Sequence, residues 1–267
     1  MDKIKKELLA KERYTFEDLR DVMRVLRAPG GCPWDMEQDH KSIRENFIEE
    51  TYEVVEAIDT ENIALMREEL GDVLMQVVFH TAIEEENGGF TMEDVTTEVC
   101  KKLIYRHPHV FADTSVDGSD EVLVNWDKLK NAEKQRNTVT DSLLSVPKQY
   151  PALLRAQKVG KKAAKVGFDF ANAEDAAKKI TEETAELLAA PDECRMEELG
   201  DLLFAVVNTA RQYGISAEEA LAKATDKFIS RFSEVEKGVI SDGKDMTELS
   251  LEELDKYWDK AKNSKNN

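Results

Sequence analysis

Apolar positions along this chain recur at three- and four-residue spacing and rarely alternate, which predicts helices rather than strands. Leu19, Val22, Met23, Val25 and Leu26 form the first stripe, behind the helix-start signal Thr15-Phe16-Glu17-Asp18. The run Ala28-Pro29-Gly30-Gly31-Cys32-Pro33-Trp34-Asp35 ends it, because proline and paired glycines break helical geometry. Helices are expected over about 40–59 and 62–86, the latter carrying the apolar run 73–79 and closed by Gly88-Gly89. Thr91 caps a third, to about 105; residues 107–118 read as loop, and 120–136 as helix.

The order then restarts. A polar stretch with Pro147 and Pro151 separates a first repeat (1–137) from a second (151–267), with 138–150 as the linker. Gly167-Phe168-Asp169 stands where Pro33-Trp34-Asp35 stood, and Ser216 and Ser250 begin capping-box patterns. Lys227 and Arg231 answer Lys102 and Arg106, and Trp258-Asp259-Lys260 answers Trp126-Asp127-Lys128. Landmarks repeated in one order predict an all-α fold made by tandem duplication of a helical unit.

The chemistry lies in the acids of the repeat. Glu49-Glu50-x-x-Glu53 is followed by Glu69-Leu70-Gly71-Asp72, and Glu182-Glu183-x-x-Glu186 by Glu198-Leu199-Gly200-Asp201. Residues three or four apart share a helix face, so two antiparallel helices would bring four carboxylates together. Such a cluster repels itself unless cations neutralise it. Oxygen-only ligation points to a hard ion, Mg²⁺ or Mn²⁺. Gly71 and Gly200 cost their helices about 1 kcal/mol each relative to alanine, which implies close approach of a backbone, an ion or a ligand.

Composition narrows the picture. The chain has 267 residues, 41% of them hydrophobic, and a formal charge of -18, which argues against a nucleic-acid polymer as ligand. Its opening is charged rather than a signal peptide, and no apolar run reaches membrane-spanning length. Three separated cysteines fit a reducing, cytoplasmic setting. Lys102/Arg106 and Lys227/Arg231 are either phosphate-gripping pairs or solvated ones. Trp34 and Phe168 either stack on a base or anchor their loops. Trp126 and Trp258 read first as packing residues, Trp258 being carried also as a substrate-side candidate. No phosphate-binding glycine loop, dinucleotide fingerprint or Ser/His/Asp set occurs, and His107 and His109 lack a partner motif. Glu-x-x-His, the helical signature of di-iron bundles, is missing from both clusters.

Together, E-E-x-x-E with E-L-G-D, C-P-W-D at 32–35, R-H-P-H-V-F at 106–111 and V-G-F-D at 166–169 resemble the MazG family in its two-repeat form, over nearly the whole chain. The resemblance implies all-α nucleoside triphosphate pyrophosphohydrolase activity, yielding a monophosphate and pyrophosphate, with Mg²⁺ dependence and bundles completed by homodimerisation. It carries metal-ligand roles onto Glu50, Glu53, Glu69 and Asp72 and onto Glu183, Glu186, Glu198 and Asp201. It carries phosphate-side roles onto Lys227 and Arg231, with Lys102 and Arg106 as their repeat partners. Glu49 and Glu182 either orient the attacking water or are simply solvated. The alternative is a nucleotide-binding regulator in which one or both halves bind without turnover. Arg106 runs into His107-Pro108 and is expected to be less firmly held than Arg231, which favours the second half for catalysis.

Overall fold

The structure is a computed structural model and describes residues 1–264. Every strand-length or longer regular element among them is helical. They fall into two compact units, Met1–Leu129 and Lys130–Asn267.

The first unit contains α1 (Asp2–Leu9), α2 (Phe16–Arg27), α3 (Pro33–Glu37), α4 (Arg44–Asp59), α5 (Ile63–Asn87), α6 (Met92–Arg106) and α7 (Pro108–Phe111). It also holds most of α8 (Ser119–Glu133), within which the boundary falls. Helix starts follow their caps: Thr15 and Thr91 each form a full capping box, and the Asn62 side chain accepts from Leu65 N–H. Gly88, at φ +71°, ends α5 in the left-handed conformation that favours glycine. A short turn folds α4 back on α5 as a hairpin, and α2 packs on α5. Their core is Met23, Ile43, Val78, Phe79, Ala82, Ile83 and Met92. Two buried arginines of α2 tie it to α5 and α6: Arg20 reaches Glu85 on α5 (3.2 Å) and Glu93 on α6 (2.8 Å). Arg27 forks onto Glu86 with two bonds of 2.8 Å.

Two expectations need correction here. Helix α4 begins at Arg44 rather than near His40, because Asp39 accepts from the N–H groups of Lys41 and Ser42 and holds a turn. His40 is also pinned away from helix, 2.7 Å from Glu84 and 2.8 Å from His80. The stretch 107–118 is not all loop, since Pro108 opens the one-turn helix α7.

The second unit contains α9 (Val139–Leu144), α10 (Ala152–Ala164), α11 (Ala173–Ala189), α12 (Arg195–Gln212), α13 (Ala217–Ser241) and α14 (Leu251–Ser264). Helices α11 and α12 form the counterpart hairpin, α10 packs on α12, and α9 packs on α10. The capping box of Thr138 makes α9 a helix within the stretch expected to be linker. Helices α13 and α14 enclose Val235, Val239, Tyr257 and Ala261, with Tyr257 donating to Asp242 at 2.7 Å.

Both hairpins leave apolar side chains in solvent: Leu70 and Leu74 on α5, Leu199 and Leu203 on α12. Gly71 and Gly200 have nothing within 4 Å of where a Cβ would stand, so no part of the described chain makes the close approach expected there. No described helix is long and apolar enough to cross a membrane.

Candidate active site

In the first unit, carboxylate oxygens of Glu50, Glu69 and Asp72 lie within 4.8 Å of one another. Glu50 sits mid-way along α4; Glu69 and Asp72 share one face of the early part of α5. Glu53 joins them through carboxyl hydrogen bonding with Glu69 and Glu50. Glu69 is buried, and burial, then its bond to Glu53 and the neighbouring negative charges, pushes its carboxyl up to about 6. Burial and then the charge of Asp72 raise Glu50 as well. Such crowding of acids favours protons or metal ions.

The second unit gathers Glu183, Glu186 and Glu198 within the same 4.8 Å, from α11 and α12. Asp201 is exposed and stands outside that group, one turn further along α12. Glu186 is raised chiefly by the charge of Glu183. This cluster has a cation with no counterpart at the first among the described residues: Lys179 Nζ lies 2.8 Å from Glu183 and 2.9 Å from Glu182. The position matching Lys179 in the first repeat is Asn46. Lys179 was missed in the sequence although its spacing to Glu183, one helical turn, could have shown it.

The other candidates are more dispersed. Glu49 and Glu182 are exposed. Lys227 is exposed, while Arg231 is half-buried with its guanidinium 6.0 Å from the Trp258 ring centre. Trp258 also packs on Phe228, ring centres 5.1 Å apart. Lys102 is half-buried, and Arg106 is only 6% exposed, stacked 5.1 Å from the Trp126 ring centre. The expected looseness of Arg106 is therefore wrong: cation–π packing and burial hold it at the end of α6 despite the proline that follows.

Trp34, on the short helix α3, and Phe168, on the loop after α10, are both exposed, and each segment is anchored by an arginine. In the first unit, Arg27 donates to the carbonyls of Asp35 (2.5 Å) and Gln38 (3.1 Å). In the second, Arg211 grips the Asp169 carboxylate through both Nη atoms, and Gln212 donates to it at 2.9 Å. That grip holds the Asp169 carboxyl below the usual range.

Fold and site define an all-α tandem protein with an oxygen-only carboxylate cluster on a helical hairpin in each unit. The chain belongs to the MazG family: the MazG nucleotide pyrophosphohydrolase domain matches residues 38–111 and again 172–235. It is 44% identical over 248 residues to the nucleoside triphosphate pyrophosphohydrolase/pyrophosphatase MazG of Thermotoga maritima, covering 92% of this chain and 95% of that one. It is 43% identical over 251 residues to the nucleoside triphosphate pyrophosphohydrolase of Escherichia coli K12, covering 91% and 95%. An uncharacterized protein of Bacillus subtilis, YabN, is 47% identical over 93% of this chain and 52% of its own length.

Proposed function

We propose that this protein is a nucleoside triphosphate pyrophosphohydrolase that cleaves its substrate to a monophosphate and pyrophosphate at metal-loaded carboxylate clusters. The observation that carries the reading is the convergence of oxygen-only donors within 4.8 Å on each hairpin, in a chain of this family. Glu50, Glu53, Glu69 and Asp72 would hold a divalent cation in the first unit. Glu183, Glu186 and Glu198, with Asp201 beside them, would hold one in the second. Hard carboxylate oxygen fits Mg²⁺ or Mn²⁺ better than softer metals. When bound, such an ion supplies positive charge that neutralises the acids and polarises the triphosphate.

The chain's own residues do the rest. The carboxylates fix where that charge sits, and their deprotonation is a condition of loading. Lys227 and Arg231, with Lys102 and Arg106 in the other repeat, are proposed to grip phosphate oxygens, and Trp34, Phe168 and Trp258 to bind on the substrate side. Glu49 and Glu182 are proposed to orient the attacking water. The apolar faces left in solvent on both hairpins, and the open space beside Gly71 and Gly200, support homodimerisation. The test is pyrophosphate release from a panel of ribo- and deoxynucleoside triphosphates, with Mg²⁺, with Mn²⁺ and with excess chelator. Turnover that needs the metal supports the reading; undiminished turnover in chelator, or orthophosphate as the product, overturns it.

A further inference from the structure

Away from the carboxylate cluster, three side chains of the first unit form a line of hydrogen bonds. His40, in the turn before α4, places its Nδ1 2.8 Å from Nδ1 of His80 on α5. Its other nitrogen, Nε2, lies 2.7 Å from Glu84 Oε1, one turn further along α5. The two imidazole planes differ by 9°, and their centres are 5.1 Å apart. That separation exceeds the distance between the Nδ1 atoms by the radii of the two rings. The rings therefore lie edge to edge in nearly one plane, with the two nitrogens head-on. The gap between them has room for one hydrogen.

Counting protons shows what this contact tolerates. An ionised carboxylate only accepts, so His40 Nε2 carries a hydrogen toward Glu84. A neutral imidazole has one N–H, which leaves His40 Nδ1 bare to accept from Nδ1–H of His80. One added proton leaves the contact whole: it sits on His80 Nε2, or the shared hydrogen moves to His40. A second puts hydrogen on both Nδ1 atoms and charge on both rings, and the bond gives way to repulsion. Burial, then the charge of His40, holds the His80 imidazole below its usual value. Charge around the pair comes from Glu84 on α5 and, within the turn, from Asp39 and Lys41. Phe47 of α4 meets the His80 ring edge-on, centres 5.8 Å apart, and Arg27 of α2 is spent on Glu86 and two carbonyls.

We propose that His40, His80 and Glu84 form a pH-operated latch on the segment that carries Trp34. With at most one added proton the latch ties the turn before α4 to α5, and with both imidazoles charged it opens. Gln38, two residues before His40, couples that turn to Trp34. Its Nε2 donates to the Trp34 carbonyl at 2.8 Å, and its own carbonyl accepts from Arg27 at 3.1 Å. Opening loosens the exposed Trp34 and the start of α4, ahead of Glu50. The sign follows from His80. An imidazole held below its ordinary 6.5 in the closed form favours that form above 6.5, and this contribution is lost as pH falls. The latch stands on this geometry whatever nucleotide the protein takes.

The second repeat lacks the trio. Counted from Glu183 and Asp201 as the three are from Glu50 and Asp72, its positions hold Ala173, Thr209 and Tyr213. The Phe168 loop is tied instead by Arg211 to Asp169, whose carboxyl lies below the usual range. Acid strong enough to charge histidine leaves that tie closed.

Hydrogen exchange on the full chain, in chelator, reads the latch locally. After correction for intrinsic exchange rates, protection of residues 34–44 should fall about tenfold between pH 7.5 and pH 5, while that of 166–170 holds. His80→Gln, which takes no proton, should protect 34–44 equally at the two pH values. Glu69 also titrates in this range but is common to both proteins, so their difference belongs to the histidine. Nitrogen NMR of the four histidines checks the proton count directly. At pH 8 the hydrogens should sit on Nδ1 of His80 and Nε2 of His40, and the two rings should titrate in separate steps. Equal wild-type protection of 34–44 at both pH values, or rings that titrate together near the ordinary value, overturns the proposal. So does a folded His80→Gln protein with the wild-type pH dependence. The wild-type measurements decide even if that variant fails to fold.

Discussion

Lys179 and Glu183 pair one turn apart on α11, Nζ to Oε1 at 2.8 Å, at a place where the first repeat has Asn46 opposite Glu50. The second cluster thus has a built-in positive charge beside one of its acids, where the first has none among the described residues. A lysine that occupies a carboxylate competes with a metal ion for it. Lys179→Asn should tighten Mn²⁺ binding at the second cluster, by about fivefold at most, the scale of a partly exposed ion pair. Calorimetric titration in a Glu50→Gln/Glu69→Gln background isolates that cluster; unchanged or weaker affinity would contradict the competition.

Glu69 gives a pH prediction of definite sign. Its folded-state carboxyl is raised to about 6, above the ordinary 4.5, so the folded, metal-free protein holds this proton more tightly than the unfolded chain. Its contribution is therefore greatest below the ordinary value and is lost as pH rises from about 4.5 through about 6. Glu69→Gln should remove this component, leaving the variant more stable than wild type above pH 6 when chelator is present. Melting curves at matched ionic strength between pH 4.5 and 7.5 check it, and a parallel pH dependence in the two proteins would be the contrary result.

The second unit should carry most of the turnover. A loose Arg106 is no ground for it, since Arg106 packs against Trp126, but Lys227 and Arg231 lie well inside the long helix α13, whose start is capped by Ser216. Glu183→Gln/Glu186→Gln should abolish most pyrophosphate release, while Glu50→Gln/Glu53→Gln should retain more than half. Equal losses would mean that both clusters work alike, and the opposite order would reverse the assignment.

Dimerisation should be visible in sedimentation at assay concentrations. Charged substitutions on the exposed apolar faces, Leu74→Glu with Leu203→Glu, should give monomers. Neither side chain is in the buried core, so the melting temperature of each unit should change less than the assembly state. A wild-type protein that is monomeric while active is the result that contradicts the prediction.

The two hairpins were legible because their signals are local. Spacing of three along a helix puts Glu50 with Glu53 and Glu69 with Asp72, and caps such as Thr15, Asn62 and Thr91 mark where helices begin. The start of α4 was misplaced because the side chain of Asp39 and the contacts of His40 with α5 outweigh helical propensity. Arg211 was less legible still: it looks like an ordinary polar interruption of an apolar run until the fold brings Asp169, on the loop between α10 and α11, within reach of its guanidinium.

The segments that carry the two aromatics are fastened from different sides. Arg27, which holds the α3 segment of Trp34, comes from the helix before it; Arg211, which holds the Phe168 loop, comes from a helix more than forty residues after it. Similar sequence landmarks therefore hide unlike wiring, and the loops are not interchangeable cassettes. A graft of residues 166–170 into the first repeat would arrive without its clamp, since Ala82 stands where Arg211 should be. Any recombination between halves that kept the loop would have to bring the far end of its hairpin as well, so each repeat can diverge in what it accepts only as a whole block.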